Sequence, residues 1–391
     1  MTADPGSEQL PPLYAKWVDE LLGGKIPRES RATCGSCAMR AEPATSINRA
    51  EPATSLGRAE PATASVTPSI AQDRGTFFDP VIKCCTYLPT LYNFLAGRIL
   101  SDQDPAAAEG RETVLARLAR GIGVSPLGLM STPTYALLYG NSKQSFGKSR
   151  ALKCPHYIED GGRCGVWAHR ESTCATWFCK HVKGGAGYAF WRDGLHRLLE
   201  IVEISLARWC LLEMKVRPAL LKAAMGSKAW KAEAEDVTGA VLDNTPDPAV
   251  HAQAWAEWRG REEAFFIACA ERVDALSWTD VMNICGPDAR AQAQLTQEAY
   301  RRLVSNEVPA AVRTGPFQVV QIGRETVRLN TYSEYDPIDV PGVVLDLLAQ
   351  FDGRPTKDVL AAIAAEHGIA LEPALVQKMT DFELLVPADK L

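Results

Sequence analysis

At 391 residues, with 46% hydrophobic and 23% charged side chains, the chain has ordinary globular composition and is long enough for two or three domains. Its 47 acidic residues outnumber 42 lysines and arginines, giving a formal charge of -5 and a pI near 5.8; no basic footprint for nucleic acid or an anionic membrane surface is present. The opening MTADPGSEQLPPL has neither a basic lead nor an apolar segment, so no secretory signal is read and a cytoplasmic chain is expected.

In chain order, residues 10–22 (LPPLYAKWVDELL) predict a short amphipathic helix after a Pro-Pro start, followed by TCGSC with Cys34 and Cys37. A nine-residue repeat comes next: RAEPATSIN at 40–48, RAEPATSLG at 49–57 and RAEPATASV at 58–66. A unit with Pro in every copy and almost no large apolar side chain cannot build a core, so 40–72 is expected to be a disordered spacer. Order is expected to resume at FFDPVIKCCTYLPTLYNFLAGRIL, where Cys84 and Cys85 are adjacent and Leu91, Phe94, Leu95 and Ile99 take helical spacing. Residues 106–120 predict a helix and 121–133 a loop. GNSKQSFGKS at 140–149 ends like a phosphate loop, but the motif needs glycine at Ser142 and a preceding strand, so nucleotide binding is rejected.

The organising stretch is Cys154–Cys179, CPHYIEDGGRCGVWAHRESTCATWFC, with four cysteines at C-x9-C-x9-C-x4-C spacing. Turn formers (Asp160, Gly161, Gly162, Gly165) fill the intervals instead of an apolar period. A reducing compartment removes disulfides as the default for eleven cysteines, leaving metal binding or redox chemistry, and thiolates suit zinc and iron-sulfur clusters. Cys210, Cys269 and Cys285 lie in apolar or helical surroundings and are assigned to core. His156, His169 and His181 stand beside cysteines and read as solvated or supporting groups before ligands. Neighbouring side chains on a trans backbone point apart, so Cys84 and Cys85 are expected to serve different sites, or only one to bind.

Helices are predicted over 188–217, 220–233, 250–273, 278–284 and 289–304. The most apolar run, residues 195–212, is broken by Arg197, Glu200, Glu203 and Arg208, which a bilayer would not accept. From 318 the pattern changes: QVVQIG and TVRLN read as a hairpin across Gly323, Arg324 and Glu325, then three helices over 341–352, 357–367 and from Glu372–Pro373 onward. The third carries Lys378 as its only basic residue against Glu372, Asp381 and Glu383, which argues against DNA reading.

On these residues, the stretch 30–181 resembles the YkgJ-type cysteine-cluster family of zinc- or iron-chelating proteins, whose relatives include flagellin lysine N-methylases. The family's CxxC and vicinal CC map to Cys34, Cys37, Cys84 and Cys85; its second half maps to Cys154–Pro155, residues 162–164, Val166 and Trp167, Arg170, Cys174, and Phe178–Cys179. Three departures stand out: 46 residues between CxxC and CC, Glu171 for the usual Pro, and Ala175 for the usual Arg. The resemblance implies metal ligation by Cys34, Cys37, Cys84, Cys85, Cys154, Cys164, Cys174 and Cys179, with iron or an iron-sulfur cluster favoured and zinc the alternative. Residues 312–391 are similar to PqqD-type winged-helix domains of peptide-modifying systems, which implies a peptide or protein partner.

The expected architecture is mainly α: an N-terminal helix and lead (1–33), a Cys-rich metal-binding domain with irregular loops (34–181), a helical region (182–305) and a small α+β winged-helix-like module (312–391). The expected function is metal chelation with a peptide- or protein-binding module; the alternative is an iron-sulfur-dependent protein- or peptide-modifying enzyme. No nucleic acid or membrane partner is expected, and the sequence assigns no catalytic residue or oligomeric state.

Overall fold

The computed structural model describes residues 10–28, 39, 78–216, 242–244 and 247–389. Cys34, Cys37, the repeats within 40–72 and the helix predicted over 220–233 lie outside them. The chain is mainly α with small antiparallel sheets.

Helix α1 (Pro12–Leu22) starts at a proline, whose missing N–H costs nothing in a first turn, and ends at Gly23 in the left-handed region at φ 61. Tyr14, Trp17, Val18 and Leu21 bury its inner face. β1 (Leu91–Tyr92) leads into α2 (Asn93–Ser101), and α3 (Ala108–Arg120) follows. The stretch read as a loop, 121–133, contains a tight hairpin of β2 (Val124–Ser125) and β3 (Gly128–Leu129), with β3 between β1 and β2. Gly128 has φ 143, and a Cβ there would lie 2.3 Å from the Leu91 carbonyl oxygen, so glycine permits both the turn and the pairing. α4 (Pro133–Asn141) is capped by the Thr132 hydroxyl.

The cysteine stretch folds as a two-residue hairpin, β4 (Tyr157–Ile158) with β5 (Arg163–Cys164), and a short helix α5 (Ser172–Thr176). The long helix predicted over 188–217 forms as three continuous pieces: α6 (Gly184–Tyr188), a π-helical stretch Ala189–His196, and α7 (Arg197–Glu213). The helix predicted over 250–273 breaks into α8 (Pro248–Trp255) and α9 (Glu262–Asp274), with Ala256 at φ 47 and Gly260 at φ 76 between them. The two helices predicted over 278–284 and 289–304 join as α10 (Trp278–Val304), kinked at Gly286–Pro287.

One apolar core joins α1, α2, α7, α9 and α10, so the cysteine stretch and the helical region share a single interior. The closest approach is α2 on α9, where a Cβ on Gly97 would lie 1.8 Å from the Phe266 carbonyl oxygen. Cys210 and Cys269 are fully buried there, as their surroundings predicted, while Cys285 is partly buried at its margin.

The C-terminal unit has its own core of Val312, Leu329, Leu348, Val359, Ile363, Val376 and Leu385. The predicted hairpin forms as β7 (Gln318–Ile322) and β8 (Thr326–Asn330), between β6 (Ala311–Thr314) and β9 (Ile338–Pro341) in the chain. Helices α11 (Gly342–Leu348), α12 (Thr356–His367) and α13 (Pro373–Asp381) match the three predicted, with β10 (Asp352–Pro355) before α12 and β11 (Leu385–Pro387) at the end. The sheet orders are β7-β8-β9 and β10-β6-β11. The sequence reading missed β6, β9, β10 and β11 because each is only three or four residues long, too short for a strand pattern to stand out.

Candidate metal centre

Six of the eight predicted cysteines are described, and all six line one cavity of about 540 Å³. None of the nine described cysteines is in a disulfide. The six come from three segments, residues 84–85, 154–164 and 174–179, brought together by tight turns.

The first segment is a run of turns over 80–86. The Asp79 carboxylate accepts from the amides of Val81 (2.8 Å) and Ile82 (3.3 Å), and Lys83 adopts φ 55. Its ammonium donates to the Gly162 carbonyl at 2.8 Å, tying this turn to the hairpin. The amide of Thr86 bonds the Cys84 carbonyl at 2.8 Å, closing a three-residue turn. In that turn the vicinal thiols do not diverge as an extended backbone would force them to. They hydrogen-bond each other and face the same cavity.

The second segment is pinned to the first by the Cys154 amide on the Cys85 carbonyl (2.8 Å) and by the Tyr157 hydroxyl on the Val81 carbonyl. Gly161 (φ 73) and Gly162 (φ 58) make the turn between β4 and β5, which sets Tyr157 opposite Cys164. Gly165 then packs on α3: a Cβ on Gly110 would meet the Gly165 carbonyl oxygen at 1.8 Å.

The third segment is held by Glu171, the residue that stands where the family pattern has Pro. Its carboxylate caps α5, accepting from the amides of Thr173 (2.6 Å) and Cys174 (2.8 Å), and it also bonds the Cys174 thiol. Behind it, Glu203 of α7 accepts from the Ser172 amide and hydroxyl, both at 2.7 Å, and from the Tyr14 hydroxyl of α1. Burial, then the neighbouring Glu171 charge, push Glu203 up to about 8. The sequence reading took Glu203 only as a break in an apolar run. Its place between Leu199 and Leu206 on one helical stripe was the available sign that it is buried.

Burial pushes the Cys154 thiol up to about 12 and raises Cys164 and Cys174 as well. The Cys84–Cys85 hydrogen bond lowers Cys84 and raises Cys85, so Cys84 is the better thiolate of the pair. Lys83, Arg170, Lys180 and Arg192 line the cavity, and no carboxylate is among its described lining residues. Arg170 lies 3.4 Å above the Trp167 ring centroid and donates to the Trp167 carbonyl at 3.1 Å.

The histidines divide. His156 lines the cavity, yet both its nitrogens engage α3, Nδ1 with the Thr113 hydroxyl (2.7 Å) and Nε2 with Arg117 (3.2 Å). Burial and Arg117 lower it to about 3. His169 Nε2 pairs with Asp102 at 2.8 Å, and His181 stands by Tyr332 and Asp336 of the C-terminal unit. His196, which the sequence reading did not single out, lines the cavity from the π-helical stretch. Among the described residues no three Cys, His, Asp or Glu side chains converge as a single metal ion requires. No described helix is long and apolar enough to cross a membrane.

Compared with models of protein families, with curated proteins and with solved structures, the chain matches none. The resemblances drawn above therefore rest on the quoted residues alone.

Proposed function

We propose that the chain is a thiolate-ligated metal protein whose six cavity cysteines, together with Cys34 and Cys37, hold iron, as an ion or an iron-sulfur cluster, with zinc as the alternative. The observation that carries this reading is the meeting of six cysteines, from segments up to 95 residues apart, in one cavity without a disulfide. The donor set fits: soft sulfur ligands are surrounded by basic side chains that can balance thiolate charge. Six thiols around one cavity can supply the four ligands that an iron-sulfur centre or a zinc ion needs. When bound, an iron-sulfur centre supplies electron transfer.

The chain's own residues do the rest. Lys83 joins the Cys84–Cys85 turn to the β4–β5 hairpin, Glu171 orients Cys174, and burial keeps most of the thiols protonated until a metal displaces their protons. The C-terminal unit is read as the docking module for a peptide or protein segment. A second reading, an iron-sulfur-dependent protein- or peptide-modifying enzyme, is favoured by Tyr335, through which that unit contributes to the cavity wall.

Anaerobic purification with metal and sulfide analysis and an absorption spectrum tests the proposal. Iron with acid-labile sulfide and broad visible absorption is expected. A colourless protein with zinc selects the alternative, and a protein without metal after anaerobic reconstitution overturns the reading.

A further inference from the structure

Beside the thiols the cavity wall is aromatic: Phe78, Phe146, Trp177 and Tyr335 form a closed ring of contacts, with centroid separations of 5.4, 5.5, 6.3 and 6.1 Å around the ring. These four residues come from four parts of the chain, with Tyr335 supplied by the C-terminal unit. A volume near 540 Å³ falls in the range of small-molecule pockets, about 300 to 1,000 Å³, which are mostly apolar with a few polar groups that fix orientation.

Those polar groups are present. The π-helical stretch Ala189–His196 widens the helix by one residue per turn and brings Arg192 and His196 to the same cavity. Arg192 stacks 4.6 Å from the Trp177 ring centroid and makes no hydrogen bond or ion pair with any described residue. Its Nη1, the Trp177 Nε1 and the His196 Nδ1 are all shielded from solvent and bonded to nothing among the described residues. The His196 ring hydrogen-bonds the Ser172 backbone, and its Nδ1 is left without a partner among the described residues. Buried polar atoms are nearly always paired, because an unmade bond costs about 1 to 3 kcal/mol, and here three belong to residues that line one cavity.

From this arrangement we infer that the cavity binds, against its aromatic wall, an organic carboxylate with a flat apolar body. Its carboxylate is held by Arg192 and the Trp177 Nε1–H, its ring lies among the four aromatic side chains, and a donor beside the carboxylate meets His196 Nδ1. The charge set selects an acid over an amine: Arg192 lines the cavity, Lys180 lines it while pairing with Asp336 at 4.0 Å, and no carboxylate is among the described lining residues. The inference goes beyond metal ligation and does not depend on it, since none of these groups is a thiol.

Saturation-transfer NMR on the full chain, with 2-aminobenzoate and its neutral amide as probes, tests it. The acid is expected to show transfer at millimolar concentration and to raise the melting temperature; the amide is expected to do neither. Arg192→Gln should weaken binding by about tenfold or more, the scale of one hydrogen bond to a charged group. Trp177→Phe, which keeps the ring and removes the donor, should weaken it less. No transfer with the acid, equal transfer with the amide, or undiminished binding by a folded Arg192→Gln protein each overturns the proposal. Metal content measured on the same samples separates this result from the fate of the metal reading.

Discussion

The cysteine-lined region and the C-terminal unit are held together in opposite ways. In residues 311–387, elements are capped locally, with Gly368 at φ 64 ending α12 and Gly323 bonded to Thr326 across the hairpin, and their apolar faces fill one core. In residues 78–86 and 154–181 there are two-residue strands, short turns and many side-chain bonds to backbone: Lys83 to Gly162, Tyr157 to Val81, and Tyr135 to the Thr86 carbonyl at 2.5 Å. A region with an apolar core carries its stability with it. The cysteine-lined region shares the apolar interior of the helical region and, on the proposed reading, depends also on the metal its thiols would hold.

The largest effect expected from that contrast comes from removing the proposed metal. Structural thiolate sites can contribute about 10 to 16 kcal/mol of apparent binding energy, coupled to folding. Chelation, or Cys164→Ser, should strip protection in hydrogen exchange from residues 80–86 and 154–179 while leaving 312–385 protected. Equal loss in both regions, or full protection and full metal content in the variant, would erase the contrast.

Next comes a pair of glycine substitutions. Gly110→Ala places a methyl against the Gly165 backbone, which cannot yield without moving the β4–β5 hairpin, so a loss of about 1 to 3 kcal/mol and reduced metal content are expected. Gly342→Ala in the C-terminal unit meets no atom within 4 Å and should be neutral or stabilising by about 0.4 to 1 kcal/mol. Thermal melts and metal analysis of the two variants decide; similar behaviour would mean both regions tolerate backbone contact alike.

A smaller effect lies in pH. Glu203 is raised to about 8, so the folded chain holds a proton that the unfolded chain, with glutamate near about 4.3, has released. Its contribution is full below about pH 4.3 and lost as pH rises through about 8. Glu203→Gln should flatten the melting temperature over that window and leave it unchanged or higher at pH 8.5. His156 works the other way: lowered to about 3, it favours folding above about 6.5 and the benefit is lost on acidification toward 3. A Glu203→Gln protein that keeps the wild-type pH slope would remove the buried carboxylate from this account. The smallest effect is expected from deleting 40–72, which should leave metal content unchanged; a loss of metal would put the repeats within the site.

Much was legible from local pattern. Pro12 and Gly23 bound α1, the apolar stripe of α7 gave its buried face, and the turn at Gly323 gave the hairpin, because capping, periodicity and turn chemistry act over a few residues. Cysteine spacing also singled out the residues that meet in the cavity. The shared direction of Cys84 and Cys85 was not legible, since it depends on a three-residue turn fixed by contacts with residues 154–162. Nor was the pairing of Glu203 with Tyr14, 189 residues away.

The sequence by itself determined that helices form near 10–22, 106–120, 188–213 and 357–367 and that the cysteines cluster before residue 180, because those follow from residue chemistry and periodicity over short range. Only the tertiary structure decided that one cavity is lined by the six thiols together with an aromatic wall, Arg192 and His196. That outcome depends on a π-helical register no 3.6-residue period reveals, and on Tyr335 arriving from a separately cored unit.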